Sequence, residues 1–381
     1  MLINFWDRSA LGFAATSVMR DLRLSHAAFG ALGSGFYLLF AVSALGFGWL
    51  SDRMPSRALV ACMALVWAAA QAIMSGASAF GAALASRILL GAGEGGAFPL
   101  ALHTGFAWVA RERRSLATAL VAIGSPLGVA TGALVITFAI ARYGWHGAFA
   151  LLAVCSILWT GFWILFAPRL PRTDVQRHAV AVTGTPLKRL RTIAGATIAA
   201  FAIQWIFALA TTWFPALLET AGALSSRTSG YILSIAWALQ IPAFLATGWY
   251  SRRPRADVAA LAVLVSGAAL AGAGLAPHTP AAPILVILCI AVTAVAVTSL
   301  PPMVDDASAP QFRGFTLSAL IGVASFGGLI APALFGAVVD ARRSGGYGSA
   351  AIVCGLLVMV AAAGAYALME RSKQKTPPSA Q

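Results

Sequence analysis

Long apolar runs, separated by short polar segments, follow one another along the whole chain. Each run is close to the roughly 20 residues that a helix needs to cross the apolar core of a bilayer. Strands of a membrane barrel would instead be short and would alternate between apolar and polar residues. The pattern predicts an all-α membrane protein with twelve spans: 1–19, 27–50, 58–79, 81–108, 115–141, 147–167, 193–218, 228–250, 257–276, 282–303, 314–339 and 347–369.

Composition narrows the class further. Of the 381 residues, 60% are hydrophobic and only 10% are charged, whereas soluble domains carry about 25% charged residues. A soluble enzyme and a disordered chain are therefore excluded. No nucleophile with its base and no cluster of metal ligands stands out, so we expect no enzyme activity, no cofactor and no metal site. The four cysteines each fall in a different run and are expected to be packing residues.

The net charge of +14 comes from basic residues clustered between the apolar runs, which argues against nucleic acid as a partner. Of the 26 Lys and Arg residues, eighteen lie in one set of alternate gaps and the C-terminal tail, and six lie in the other set. An excess of Lys and Arg marks the cytoplasmic side of a membrane protein. We therefore expect a multi-pass protein of the plasma membrane, the inner membrane of a bacterium, with its C-terminus in the cytoplasm.

The longest polar interruption lies near the middle of the chain and suggests two halves. The predicted units are a six-helix bundle at 1–167, a cytoplasmic linker at 168–192, a second six-helix bundle at 193–369 and a tail at 370–381. GWLSDR at 48–53 and GWYSRR at 248–253 follow the second and eighth spans, as expected for a duplicated sequence. Transporters are often built from such repeats, and a monomer is expected.

Four ionisable residues lie well inside apolar runs: Asp7, Arg8, Arg87 and Glu94. Intramembrane charges are costly and usually face a partner or an aqueous cavity. Arg87 and Glu94 are two helical turns apart and share a face, about 10 Å apart along the axis, whereas the adjacent Asp7 and Arg8 point about 100° apart. These positions predict a cavity between the first and fourth spans, with arginine available to an anion and the acids available to a proton. The alternative is a structural network of ion pairs, although buried pairs are poor stabilisers.

The first span is short. Asp7 lies about 20 Å along a helix from Arg20, and only six residues remain to cross the rest of a core about 30 Å thick. Either the start of the chain is truncated or this helix begins at the membrane surface.

The segment from Gly91 to Gly96 formally matches the GxGxxG dinucleotide fingerprint. That motif requires a preceding strand and a βαβ unit, neither of which the pattern predicts. Small residues at this spacing instead allow membrane helices to approach closely.

A family resemblance is carried by the two sets of six spans, the basic linker and several motifs. These motifs are Gly48-x-Leu-Ser-Asp52-Arg53-x-x-x-Arg57, Asp7-Arg8, Asp21 to Ser25, Ser34-x-Phe36, Arg87-x-x-Leu-Gly91-x-Gly93-Glu94-x-x-x-Phe98-Pro99, Trp108 with Glu112-Arg113, Gly124 to Gly128, and Gly144-Trp145-His146 with Phe149. The chain resembles the major facilitator superfamily, and within it the anion:cation symporters, which carry sugar acids, sialic acid, phthalate and related carboxylates. The resemblance is dense over residues 1–168 and thin afterwards.

The resemblance implies roles for individual residues. Arg8 and Arg87 would bind a substrate anion, and Asp7 and Glu94 would couple its movement to protons. Asp52, Arg53 and Arg57 would form a conformational gate, although a basic loop that only sets topology is the alternative. Further candidates for substrate contact are Tyr37, Gln204, Gln240 and Ser325.

Several positions depart from the sugar-acid pattern. Phe5 and Phe40 stand where tyrosines are usual, Ala44 replaces a frequent glutamine, and Ser325 falls where asparagine is common. Each change removes hydrogen-bonding capacity from the predicted cavity, and a polyol needs a partner for every hydroxyl group. A less hydroxylated carboxylate, aromatic or aliphatic, fits this pattern better.

The sequence thus predicts a proton-coupled symporter of a small organic anion that works by alternating access. One alternative is a proton-coupled efflux antiporter for aromatic or amphipathic compounds. A second alternative, of a different class, is a membrane sensor that binds its ligand without transporting it.

Overall fold

The computed structural model describes residues 1–51, 53–106, 114–167, 185–250, 256–308, 313–342 and 345–371. All twelve predicted spans are helical within these ranges, and no strand occurs in them. The helices of the first half are α1 Leu2–Phe13, α2 Ala15–Asp21, α3 His26–Ser51, α4 Ser56–Ser75, α5 Phe80–Glu94, α6 Ala97–Phe106 and α7 Arg114–Phe166.

The helices of the second half are α8 Pro186–Thr212, α9 Phe214–Ala216, α10 Ser226–Ala238, α11 Gln240–Tyr250, α12 Ala256–Leu275, α13 Ala281–Ala291, α14 Thr293–Ala307, α15 Arg313–Ala341 and α16 Gly346–Arg371. A π-helical turn, Leu217–Ala221, follows α9. Helix α8 begins inside the predicted linker 168–192, since proline is favoured in the first turn of a helix. Residues 168–184 lie outside the described residues, so the bounds of the two halves remain a prediction.

Breaks within the helices explain how sixteen helical segments correspond to twelve spans. Gly144 interrupts α7 with φ 69° and ψ 173°, a backbone conformation that glycine adopts readily, so α7 contains the fifth and sixth spans. Nine described segments are long and apolar enough to cross a membrane. The first and fourth predicted spans are not among them. Their helices are interrupted at Ala14 and at 95–96, and these are the spans that carry the internal charges.

The two halves meet where α3 packs against α15. A Cβ atom on Gly30 would overlap the backbone carbonyl of Pro332, and one on Gly336 would overlap that of His26. Glycine at these positions therefore lets the two helices approach at the end of the bundle where α3 begins. We call this the His26 end, and the opposite end the Ser51 end.

A cross-half hydrogen-bond network closes the His26 end. The carboxylate of Asp340, in the last turn of α15, accepts hydrogen bonds from the backbone N–H groups of His26 at 3.1 Å and Ala27 at 2.8 Å. It also lies 2.7 Å from Nδ1 of His26. Asp340 thus caps the N-terminus of α3 from the other half, where an acidic group is favourable.

The glycine-rich segment at 91–96 serves helix packing. A Cβ atom on Gly91 would overlap the carbonyl oxygen of Phe36, and one on Gly95 would overlap that of Phe40. On the opposite side, Trp67 Nε1 of α4 donates to the carbonyl oxygen of Gly93 at 2.9 Å. The segment therefore brings α5 against both α3 and α4, as the sequence predicted.

This packing predicts a large difference between two glycines of the same helix. Gly91→Val should lower the free energy of unfolding by about 1–3 kcal/mol, the usual cost of overpacking. Gly81→Val is the matched control, because a Cβ atom on Gly81 meets nothing within 4 Å. Thermal unfolding in detergent measures both, and equal shifts in the two variants would contradict the assigned packing.

Candidate functional site

Arg8 lies in a cage of aromatic rings between the two halves. Its side chain is 7% exposed, and Nη2 donates to the hydroxyl oxygen of Tyr37 at 2.6 Å. The guanidinium carbon lies 4.7–5.7 Å from the centroids of five rings: Phe5, Phe36, Tyr37, Phe40 and Phe207. At such distances ring faces stabilise a cation without neutralising it. The positive charge of Arg8 therefore remains available to an anion.

Arg87 projects from α5 toward the backbone of α1. Its Nη1 and Nη2 each lie 3.5 Å from a carbonyl oxygen, those of Asp7 and Arg8 respectively. Its guanidinium carbon is 5.5 Å from the centroid of Phe36, a ring that also lies 4.7 Å from Arg8. One phenyl ring thus contacts both cations, and Arg87 is 3% exposed.

Glu94 is buried, and both of its carboxylate oxygens are inaccessible to solvent. Neither oxygen has a hydrogen-bond partner in the part of the chain that the structure describes. The charged groups of Arg8, Asp7 and Arg87 are the electrostatic neighbours of Glu94. A buried carboxyl group in this state is suited to bind and release a proton.

Asp7 points away from the aromatic cage, into the first half. Its carboxylate is fully buried, lies against Gln71 of α4 and accepts a hydrogen bond from Ser156 Oγ of α7 at 3.4 Å. The predicted divergence of Asp7 and Arg8 around the helix accounts for this separation. The structure therefore brings Arg8, Arg87 and Tyr37 together and places the carboxylate of Asp7 in a different environment.

The buried charges do not form a network of direct ion pairs. Among the described residues, no ion pair of 4.0 Å or less joins Arg8 or Arg87 to a carboxylate. The Nε atoms of both arginines are buried and have no hydrogen-bond partner within the described ranges. Leaving a charge buried and unpaired costs several kcal/mol, so this arrangement suits a ligand that supplies the missing negative charge.

The other predicted contacts are placed differently. Gln204 of α8 is partly exposed. Gln240 donates from Nε2 to Ile290 O at 2.8 Å and to Thr293 Oγ1 at 3.0 Å, both within the second half. The hydroxyl of Ser325 donates to Ile321 O within its own helix at 2.8 Å. The hydrogen bonds that the structure gives Gln240 and Ser325 therefore stay inside the second half.

The predicted gate is described only in part. Asp52 lies outside the described residues. Arg53 donates to Trp49 O at 3.0 Å and stacks over its ring at 3.8 Å. Arg57 donates to Ile164 O of α7. A gating role for Asp52, Arg53 and Arg57 remains a prediction.

Several residues of the site were not found from the sequence. Phe207 lies one helical turn after Gln204 and Phe36 belongs to a motif of the resemblance, so weak signals existed for both. Gln71 is a polar residue inside an apolar run, which was a usable signal.

A separate cavity of about 320 Å³ lies at the His26 end. It is lined mainly by apolar side chains, together with His278 and Thr279. None of the four internal charged residues lines it.

Comparison with known proteins adds independent findings. The family model of the Major Facilitator Superfamily matches residues 1–304. The hexuronate transporter of Bacillus subtilis is 26% identical over 385 residues, covering 94% of this chain and 90% of that protein. A probable sulfoacetate transporter of Cupriavidus necator is 26% identical over 393 residues, covering 94% and 89%. The crystal structure of a D-xylose-proton symporter superposes with a TM-score of 0.80 at 15% identity, covering 99% of this chain and 97% of that one.

Proposed function

This chain belongs to the Major Facilitator Superfamily, and we propose that it carries a small organic anion across the membrane together with a proton. The observation that supports this function best is the pair of buried arginines, Arg8 and Arg87, which form no ion pair with any carboxylate of the described residues. Relatives named as transporters of hexuronate and of sulfoacetate, both organic anions, support the same class of substrate.

Each charged residue then has a distinct role. Arg8 and Arg87 attract the anion, and Glu94 binds the proton that accompanies it. Asp7 is a second proton site, separated from the anion by its position inside the first half. A monovalent anion with one proton, or a divalent anion with two, adds no net charge, so the loaded site can reorient without moving an uncompensated charge through the bilayer.

Reorientation occurs by alternating access, in which one half rocks against the other. The basic residues near the Ser51 end support a cytoplasmic location for that end and for the C-terminus, in a protein of the bacterial inner membrane. The network between α3 and α15 closes the opposite end in this structure. The two alternatives to symport, namely proton-driven efflux and ligand sensing without transport, would use the same fold.

Proteoliposomes provide the test of the proposed function. The probes are a panel of small carboxylates that includes glucuronate, sulfoacetate and terephthalate, whose charged forms do not cross a lipid bilayer unaided. We expect at least one of them to accumulate under an inward proton gradient and not when the gradient is collapsed. Binding without any flux would instead support a sensor, and flux favoured only by the opposite gradient would support efflux.

The cap on α3 predicts a change in conformational equilibrium. Asp340→Ala removes a helix cap worth about 1 kcal/mol, so the ratio of closed to open forms at the His26 end should fall about fivefold. The measurement is maleimide labelling of a cysteine introduced at Thr212, which packs on Gly33 at this end. The four natural cysteines are replaced by alanine beforehand.

Asp21→Ala is the matched control for the cap. Asp21 accepts a hydrogen bond from Trp145 at 2.9 Å and pairs with Arg20, all within the first half. These two contacts, that of Trp145 first, hold the pKa of Asp21 below its usual range. Faster labelling in Asp340→Ala alone is expected, whereas equal labelling rates in both variants would exclude a role for the cap in closure.

A further inference from the structure

The aromatic cage around Arg8 draws on both halves of the molecule. Phe5 of α1 and Phe36, Tyr37 and Phe40 of α3 belong to the first half. Among the described rings within 6 Å of the Arg8 guanidinium carbon, Phe207 of α8 is the contribution from the second half, at 4.8 Å. Phe207 therefore forms the wall of the site that moves relative to Arg8 when the halves rock.

Other rings hold Phe207 in place. Trp237 of α10 meets it edge to face, with centroids 4.8 Å apart and an interplanar angle of 81°. Phe5 meets it at 5.8 Å and 75°. Phe201, Gln204 and Phe207 are partly exposed, and the residues between them in the chain are buried. This spacing places the three side chains along the less buried side of α8.

Three of the polar side chains that the sequence predicted to contact the substrate are engaged in hydrogen bonds within the protein. The hydroxyl oxygen of Tyr37 accepts from Arg8, Gln240 donates to two acceptors in the second half, and Ser325 donates to its own helix. A buried hydroxyl group without a partner costs about 1–3 kcal/mol. The faces of the five rings around Arg8 cannot provide the hydrogen bonds that the hydroxyl groups of a polyhydroxylated acid need.

We propose that Phe207 makes this site selective for carboxylates whose body is flat and free of hydroxyl groups, over polyhydroxylated acids of similar size. The carboxylate binds the Arg8 guanidinium, and the apolar body packs on the ring of Phe207. This inference rests on the proposed function, because Arg8 must be the anion-binding group. The proposed substrate differs from that of the relative named as a hexuronate transporter, because a hexuronate carries several hydroxyl groups.

Benzoate and glucuronate are suitable probes, because each joins one carboxylate to a six-membered ring and they differ in hydroxyl groups. Isothermal titration of the purified protein gives the Kd for each acid. We expect the wild type to bind benzoate more tightly than glucuronate. Phe207→Leu removes the flat face and keeps an apolar side chain, so it should weaken benzoate binding about three- to tenfold, the usual range for an aromatic contact. The same change should leave the Kd for glucuronate unaltered.

Phe201→Leu is the matched control on the same helix. The ring of Phe201 packs on Trp205 at 5.9 Å and is not among the rings around Arg8. Selectivity that falls in Phe207→Leu and persists in Phe201→Leu supports the inference. Equal or tighter binding of glucuronate by the wild type overturns it, as does an unchanged ratio of the two Kd values in Phe207→Leu.

Failure of the inference can be told apart from failure of the proposed function. If the wild type binds no benzoate but takes up another carboxylate of the panel in an Arg8-dependent manner, the selectivity is wrong and the transport function stands. If no carboxylate of the panel is bound or transported, both are wrong.

Discussion

Arg8→Gln is expected to lose most of its affinity for the transported anion. The change removes the positive charge and keeps a polar side chain, which is shorter than that of arginine. Truncating one partner of a buried, hydrogen-bonded charge pair costs at least about 2 kcal/mol, so Kd should rise about thirtyfold or more. The measurement is titration of the purified protein with whichever carboxylate of the panel the wild type accumulates.

Arg142→Gln is the control for this variant. Arg142 also lies over an aromatic ring, that of Tyr143 at 5.5 Å, but it is exposed near the break at Gly144. Its replacement should leave the Kd unchanged. A Kd for Arg8→Gln within about threefold of the wild-type value would show that the caged guanidinium does not bind the substrate. A threefold change corresponds to only about 0.6 kcal/mol.

Glu94→Gln is expected to separate anion movement from proton movement. The amide cannot exchange a proton, so accumulation driven by a pH gradient should be abolished. Exchange of labelled anion inside the liposome for unlabelled anion outside needs no net proton transfer and should continue. The two assays are run on the same proteoliposome preparation, so loss of folded protein would lower both rates together.

The same carboxylate-to-amide change at Glu370 provides the comparison for Glu94. Glu370 lies near the end of α16, where it interacts with Tyr366. Gradient-driven accumulation should be normal in Glu370→Gln. Full accumulation by Glu94→Gln would mean that another group carries the coupling proton, and Asp7, enclosed by Gln71 and Ser156, would then be the next acid to replace.

The helical structure of the twelve predicted spans could be predicted from the sequence because apolar runs of membrane length have few other structures available. The breaks that divide several spans into two helices could not. The divergence of Asp7 and Arg8 also followed from helical periodicity, since neighbouring residues point about 100° apart. Likewise, the glycines at 91–96 were correctly interpreted as packing residues because no strand preceded them. These features depend on local sequence alone.

The aromatic cage could not be predicted, because it depends on which helices meet around Arg8. Phe207 is about 200 residues from Arg8 in the chain, and only the packing of α8 against α1 brings them together. The same reason applies to Asp340, whose capping of α3 spans the two halves. For Gln240 the sequence showed a polar residue in an apolar span, but not that its amide is used by Ile290 and Thr293.

Simultaneous recording of anion and proton entry tests the proposed transport most directly. Proteoliposomes with a trapped pH indicator receive an external carboxylate from the panel, with no initial pH gradient and with protein-free liposomes as the blank. We expect the interior to acidify as labelled anion enters, and expect both signals to be absent in Arg8→Gln. Anion entry without acidification, or coupled entry that persists when Arg8 is replaced, would contradict a mechanism in which this arginine binds an anion that travels with a proton.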